Sequence, residues 1–473
     1  MSQTDNNLYD AIIIGAGMSG LVCGCYLAQA GMKVLIAEQH HKPGGYCSTF
    51  KRKGFTFDAA AHSFGSYREG GNFKTVVNEL GLDHRIAIRR YDPADIVVTP
   101  NHRISFWNDW GKTIRELQLA FPHELKTKEF ISFMADPKPA DIAALRNQTF
   151  KEVLDRYFTD DKIKTILFCQ LFGNGGLPPS LMSAFTGSKI FTEFVVDGGY
   201  YPDGGMQALP DTFAQRFTEF GGTLLLSSSV AIITEDRNKV SGVVLKNGTA
   251  IRSRCVISNC DARQTYFSLL KGYSLNNRFA EKLNSMKPSL SMFIAYLGID
   301  EFFDALPQPG STLWFLPHYN IEQMYLSAQN EYETDLSKYL LRVSPSGNTI
   351  LAMANTSFKN KEYWDKNKQL LLKNFITIIE QTTVPNLSKH LRYQEAASPY
   401  TLHSYTLNYQ GAAYGWESIK QQFLDPDFRK PTFIDGLYLT GHWTTYAQGL
   451  AGVVYLGYDL AKSIIRKDKT ARA

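Results

Sequence analysis

The chain has no CxxC pair. Its six cysteines, Cys23, Cys25, Cys47, Cys169, Cys255 and Cys260, are scattered through 473 residues without the spacing of a zinc site or a disulfide framework. A reducing, cytoplasmic setting is therefore expected. No metal-ligand spacing, Ser–His–Asp order or close carboxylate pair stands out either, so metal-assisted and triad hydrolysis are not the expected chemistry. Net charge is only +5, and no basic run carries interleaved stacking aromatics, which argues against nucleic acid as a partner. The basic end Arg466-Lys467-Asp468-Lys469 reads as solvated. There is no repeat of fixed period and no low-complexity linker. Met1–Asp10 is polar, with neither a basic n-region nor a small-residue cleavage site, and is not read as a signal peptide. Only Ala11–Gly31 approaches the length and apolarity of a membrane span, and its five glycines break it into a short strand, a turn and a helix.

What is present belongs to a folded protein: 44% hydrophobic and 20% charged residues. The length exceeds one ordinary core, so two intimately packed domains are expected. Aromatics reach 13%, with 30 Phe and 25 Tyr, which fits either a large apolar cavity or a large core. Tyr9–Ile14 is an apolar, β-branched run ending in glycine and reads as a buried parallel strand. A turn and helix over Gly15–Gly31, then a strand over Lys33–Glu38, complete a βαβ unit; Gly54–Asp58 reads as a third short strand. From Trp107 to Phe194 the pattern is helical, interrupted by prolines at 122, 137, 178 and 179. A Gly- and Tyr-rich loop, Asp197–Gly205, leads to a helix over Met206–Phe220 that Gly221-Gly222 stops. Strands follow at Thr223–Leu226, Val230–Thr234, Val240–Leu245 and Ala250–Ser258, the last two joined at Asn247-Gly248. A long helix is expected over Tyr363–Gln381, and a final strand, glycine turn and helix over Gly436–Ile465.

Gly15-Ala-Gly17-Met-Ser-Gly20 matches GxGxxG. Alone the match means little. Here it follows a strand, opens a helix, and is succeeded by a strand ending in the acid Glu38, the context of a dinucleotide site. Gly15 makes the tight turn, Gly17 lets the backbone approach a pyrophosphate, and Gly20 lets helix and strand pack closely. Met18 and Ser19 lie in the first helical turn, whose free N–H groups and positive dipole end suit phosphates. Glu38 can accept hydrogen bonds from ribose hydroxyls. Gly44 and Gly45, soon after, bring more backbone close to a ligand. Gly173-Asn-Gly175-Gly176 does not open a comparable helix, so no separate nicotinamide site is expected and the electron acceptor or donor is external.

These pieces resemble the phytoene desaturase, carotenoid isomerase and retinol saturase group of FAD proteins, relatives of the amine oxidases. The resemblance is carried by Gly15–Gly20, Glu38, Pro43–Gly45, Gly54–Asp58, Gly198–Gly205, Ser229-Val230, Ser258–Asp261, Gly411–Trp416 and Gly436–Gly452. It implies FAD as cofactor and an α/β fold in which a Rossmann-type FAD-binding domain is interleaved with a mixed-sheet and helical substrate domain. The implied division is 1–84, 198–290 and 396–473 for FAD binding, 85–197 for a helical substrate cap, and 291–395 for the substrate sheet and helices. It further implies Val230 backbone against the adenine, and Gly441 and His442 near the pyrophosphate and ribitol. Gly449, Leu450 and Ala451 would open a helix facing the flavin's pyrimidine side. Many relatives carry Asp at the His442 position, so the contact to the ribitol differs here.

Three residues are candidates around the reaction: His62, just beyond the Phe57-Asp58 strand end, and Tyr414 and Trp416 in a glycine-flanked loop. Trp443 and Tyr446 sit beside His442. The cap segment is rich in aromatics, among them Trp107, Trp110, Phe121, Phe130, Phe133 and Phe194. If part of that surface is exposed, it would dip into a bilayer and take up a lipid-soluble substrate, giving a peripheral membrane protein. The expected activity is desaturation, saturation or cis–trans isomerisation of a long isoprenoid polyene. Two alternatives share the fold: oxidation of an amine or other small substrate, and lipid binding by a non-catalytic flavoprotein.

Overall fold

The computed structural model describes residues 8–472 apart from 274, 420–421, 423–432 and 445–447. Strand β1 (Leu8–Ile14), helix α1 (Met18–Gln29) and strand β2 (Val34–Ala37) form the expected βαβ unit. β1 pairs in parallel with β2 on one side and with Ala250–Ser258 on the other. Ala250–Ser258 pairs in parallel with Leu437–Leu439, and β2 with Thr223–Leu225. The hairpin Val230–Asp236/Lys239–Leu245 adds antiparallel to the first residues of Ala250–Ser258. Sequence segments more than 400 residues apart thus share one sheet.

α1 is buried along almost its whole length, from Met18 to Ala28. The sheet covers one side. The C-terminal helix, Gly449–Arg472, crosses the other so tightly that a Cβ at Gly457 would lie 2.3 Å from the Ser19 carbonyl oxygen. Gly20 has the role expected of it, because a Cβ there would meet the Gly15 carbonyl oxygen at 2.3 Å. A helix covered all round has no reason to be amphipathic. This is why Ala11–Gly31 looks like a span; no helix among the described residues is long and apolar enough to cross a membrane.

The second sheet is built around Ser291–Ile299, all nine residues of which are buried. Its side chains alternate between two cores. Phe293, Ala295, Leu297 and Ile299 pack with Phe375 and Ile379 of the helix Lys361–Thr382. Met292, Ile294 and Tyr296 join the core of the cap helices. The cap comprises Trp110–Ala120, Thr127–Ala135, Pro139–Leu145, Phe150–Tyr157, Asp161–Gly175 and Ala184–Ile190, the last running into a π-helical turn at Phe191–Val196.

The beginning of the 85–197 segment is not helical. Ile88–Arg90 pairs with Tyr200–Pro202, while Asp95–Val98 and Arg103–Phe106 form an edge hairpin of the second sheet. Asp95–Val98 pairs in parallel with Thr312–Phe315, over 200 residues away, a partner no local pattern announces. The cap aromatics also differ from expectation. Phe121, Phe130, Phe158, Phe168 and Phe191 are fully buried against one another and the sheet. They are the core of the cap, not an exposed apolar face.

Candidate functional site

A cavity of about 640 Å³ lies where four parallel strands end. Its wall includes Gly15 after β1, Glu38 after β2, Asn259 and Cys260 after Ala250–Ser258, and Thr440 and Gly441 after Leu437–Leu439. Ligands of doubly wound sheets bind in this position, outside the carboxyl ends of the strands. Gly17, Met18 and Ser19 open α1 into the cavity, and Gly44 and Gly45 face them across an isolated Gly17–Gly44 bridge. Gly44 has φ +128°, a conformation that a residue with a Cβ rarely adopts.

Asn259 joins these loops. Its Nδ2 donates to the Gly15 carbonyl at 3.3 Å. A Cβ on Gly17 would lie 2.9 Å from that Nδ2, and one on Gly441 2.7 Å from its Oδ1. Asn259 lies within the Ser258–Asp261 segment, and nothing in the sequence pattern marks it as the residue that ties these loops together. Glu38 is buried, and both its oxygens already accept backbone hydrogens, Oε2 from Ala16 at 2.7 Å and Oε1 from His40 at 2.9 Å. Each oxygen keeps a second lone pair for a ribose hydroxyl. Ser229 and Val230 complete this end, beside His40, whose ring stacks on Tyr405 at 4.0 Å.

Gly449, Leu450 and Ala451 line the cavity at the start of the C-terminal helix, and His442 lies in the wall nearby. Burial pushes the His442 imidazole down to about 4, so the ring is neutral at physiological pH. Trp443 lies in the wall with it, and Tyr446 lies outside the described residues.

Of the three reaction candidates, His62 and Tyr414 face the cavity and Trp416 does not. The loop turns sharply at Gly415, where a Cβ would stand 2.1 Å from the His442 carbonyl oxygen. Tyr414 is directed inward by that turn and Trp416 into the core, where its indole N–H donates to the Trp443 carbonyl at 2.8 Å. Tyr414 contributes a ring face, because its hydroxyl donates to the Gly173 carbonyl at 2.8 Å. Burial raises the pKa of that hydroxyl far above its usual range.

His62 is buried, and its Nε2 has no hydrogen-bond partner among the described residues. Burial first, then the positive charge of Arg342, lower its pKa to about 3, against a backbone hydrogen bond to Ala60 that favours the charged ring. The buried ring is therefore neutral at physiological pH. The same cavity wall includes Ala60, Phe194, Met292, Ile294 and Met353, and the Phe194 ring lies 6.4 Å from that of His62. No pattern pointed to these methionine and isoleucine positions, which become cavity wall only when the second sheet docks.

Residues 18–465 match the family described as flavin containing amine oxidoreductase. The chain belongs to that family. It is an FAD-dependent oxidoreductase with the α/β fold of those enzymes. Curated relatives include all-trans-retinol 13,14-reductase of Danio rerio, 25% identical across 91% of this chain and 82% of the relative. Others are prolycopene isomerase of Daucus carota, 26% identical over 96% and 80%, and the lycopene-forming phytoene desaturase of Pantoea ananas, 24% identical over 93% and 96%. Among solved structures, wild-type putrescine oxidase bound to putrescine superposes with a TM-score of 0.64 at 15% identity, covering 97% of this chain and 99% of that one. An oxidoreductase from Methanosarcina mazei gives 0.66 at 15%, covering 96% and 99%.

The chain's own residues fit FAD. The cleft offers a helix N-terminus beside close-packed glycines for a pyrophosphate and a buried carboxylate for a ribose. The same wall holds a second helix start at Gly449 and a buried imidazole nitrogen that has no partner among the described residues.

Proposed function

We propose that this flavoenzyme acts on carbon–carbon bonds of a long isoprenoid polyene. The observation that carries the reading is the apolar share of the cavity wall, which includes Phe185, Phe194, Met292, Ile294, Met353 and Leu402. Only two carboxylates line the cavity among the described residues, and both are engaged. Glu38 takes backbone hydrogens at the nucleotide end, and Glu193 holds the guanidinium of Arg68 at 2.8 and 3.0 Å. An ammonium substrate would find no counter-charge in the chamber, whereas an uncharged conjugated chain finds walls of matching polarity. Relatives named for a retinol reductase, a prolycopene isomerase and a phytoene desaturase support the same substrate class.

FAD would be held by Gly15–Gly20, Glu38, Gly44-Gly45, Val230 and Gly441-His442, with Gly449–Ala451 at the ring; when bound it supplies electron transfer to or from the polyene. The protein's share is position and dryness. Met292, Ile294 and Met353 hold the chain in place and exclude water. For desaturation, His62 would accept the proton released as a C–H bond of the chain breaks, the electrons leaving to the flavin when it is bound. Tyr414 forms wall and donates no proton, since Gly173 holds its hydroxyl hydrogen. Anaerobic incubation of a lycopene-type polyene with oxidised and then with reduced enzyme, read by mass spectrometry, tests the proposal. A shift of two hydrogens means desaturation or saturation, and unchanged mass with altered retention means isomerisation. No product in either state, together with peroxide release on amines, would overturn the polyene reading.

Peripheral membrane association belongs to the same proposal, though on different residues from those the aromatic pattern picked. On the cap, Leu119 and Leu125 are 83% and 85% exposed, near Lys126 and Lys128 in the chain. Exposed leucines beside cations suit an anionic bilayer surface. The protein is expected to float with anionic liposomes, and Leu119→Ser with Leu125→Ser to lose that flotation. Wild type left wholly in the soluble fraction would refute it.

A further inference from the structure

One row of side chains crosses the second sheet from the flavin cavity into a smaller space behind it. Ile294 pairs with Met353, Met353 with Leu340, and Leu340 with Trp314, each directly opposite in antiparallel register. Directly paired residues project from the same face of a sheet, so these four side chains lie side by side. Ile294 and Met353 line the cavity, while Met353, Leu340 and Trp314 line a separate void of about 30 Å³. Met292 also belongs to both walls, and no other described residue is common to the two.

The void is roofed by Cys169, Phe172 and Gly173 of the cap helix Asp161–Gly175. That roof is fixed. Asn355 donates to the Phe172 carbonyl at 3.2 Å, Tyr414 donates to the Gly173 carbonyl at 2.8 Å, and a Cβ on Gly173 would stand 1.9 Å from Trp314 Cζ3. Lys338 leaves its stem to the wall, since its ammonium is held by Asp335 at 2.7 Å. Phe315 and Leu316 complete a lining that is mostly apolar. Between these walls the two methionines are the unbranched, flexible side chains.

We propose that Met292 and Met353 are the stop against which the end of the substrate chain rests, so that they set the longest polyene this enzyme accepts. The inference rests on the polyene reading and adds a length limit to it. In wild type the void stays empty behind the methionines. Shortening Met353 joins it to the cavity and opens a path for a longer chain.

The test uses flavin-loaded enzyme, oxidised and reduced, with open-chain conjugated polyenes that lengthen by one isoprene unit at a time. Wild type is expected to show one step at which kcat/KM falls by about 10²-fold or more, since a single surplus methylene in a closed apolar pocket is already worth about tenfold or more. Met353→Ala should raise kcat/KM for the first rejected chain, relative to the last accepted one, by at least about tenfold and mainly through KM. Leu340 touches only the void, and Leu340→Phe fills it. Alone, that change should leave the wild-type step in place. Combined with Met353→Ala it should cancel the gain, a coupling that general loosening of the core would not produce. Should Met353→Ala yield no flavin-loaded protein, Met353→Phe reads the same stop in the opposite direction, by lowering use of the longest accepted chain at least about tenfold relative to the next shorter one. A step that the Met353 variants leave in place would overturn the stop and leave the polyene reading intact. So would a wild type indifferent to length, or a Leu340→Phe variant that by itself loses the longest accepted chain. Turnover of no polyene at any length would overturn the polyene reading and the stop with it.

Discussion

Gly17→Val is expected to purify colourless and to take up no added FAD, while its far-UV circular dichroism stays that of the folded protein. A Cβ at this position stands 2.9 Å from Asn259 Nδ2, and Asn259 cannot simply retreat, because its oxygen lies against Gly441. The branched side chain therefore either pushes Asn259 off the Gly15 carbonyl or projects into the space in front of α1. Both outcomes fill the place where a pyrophosphate meets the helix N-terminus. Overpacking of this kind costs about 1–3 kcal/mol even in tolerant sites, and charged to the cofactor complex it weakens affinity by up to about 10²-fold. The added side chain would also stand where the pyrophosphate approaches the backbone. A yellow variant with wild-type flavin content would show that the cofactor does not approach Gly17.

His62→Gln is expected to keep its FAD and to lose about 10²-fold or more in turnover, the usual size of lost proton-transfer assistance. Glutamine preserves volume and polarity but offers no comparable basic nitrogen. The pH dependence distinguishes how the imidazole acts. Because its pKa is lowered to about 3, the ring stays neutral on descending from about pH 8 to pH 5, and kcat/KM should show no break near 6.5. A limb near 6.5 that vanishes in the variant would mean that the imidazolium is the working form and that the bound cofactor reverses the effect of burial. Loss of flavin, or poor folding, would make His62 a structural residue.

What could be read from the chain was what is local. The strand ending at Ile14, the glycine turn and Glu38 all lie within 31 residues, and each is dictated by its neighbours. Ala250–Ser258 matched in full because Asn247-Gly248 marks its start and hydrophobic alternation its length. Asp95–Val98 could not be recognised, since the strand that makes it one is Thr312–Phe315. Trp416 was misplaced for a comparable reason. The direction of its loop depends on the His442 carbonyl, 26 residues on, against which Gly415 must pack. The cap aromatics show a third limit: composition counts rings but not which way they point.

The order in which the cofactor cleft is put together has a consequence during synthesis. Its first glycines, Gly15–Gly20, leave the ribosome more than 200 residues ahead of Asn259 and more than 400 ahead of Thr440-Gly441. Until Leu437–Leu439 docks and the C-terminal helix closes over Ser19, the nascent chain holds a largely apolar α1 with one flank uncovered. Such pairings across the whole polypeptide form slowly and leave greasy surface open meanwhile. A cofactor that binds the completed cleft and not the open one draws this later segment into place by mass action.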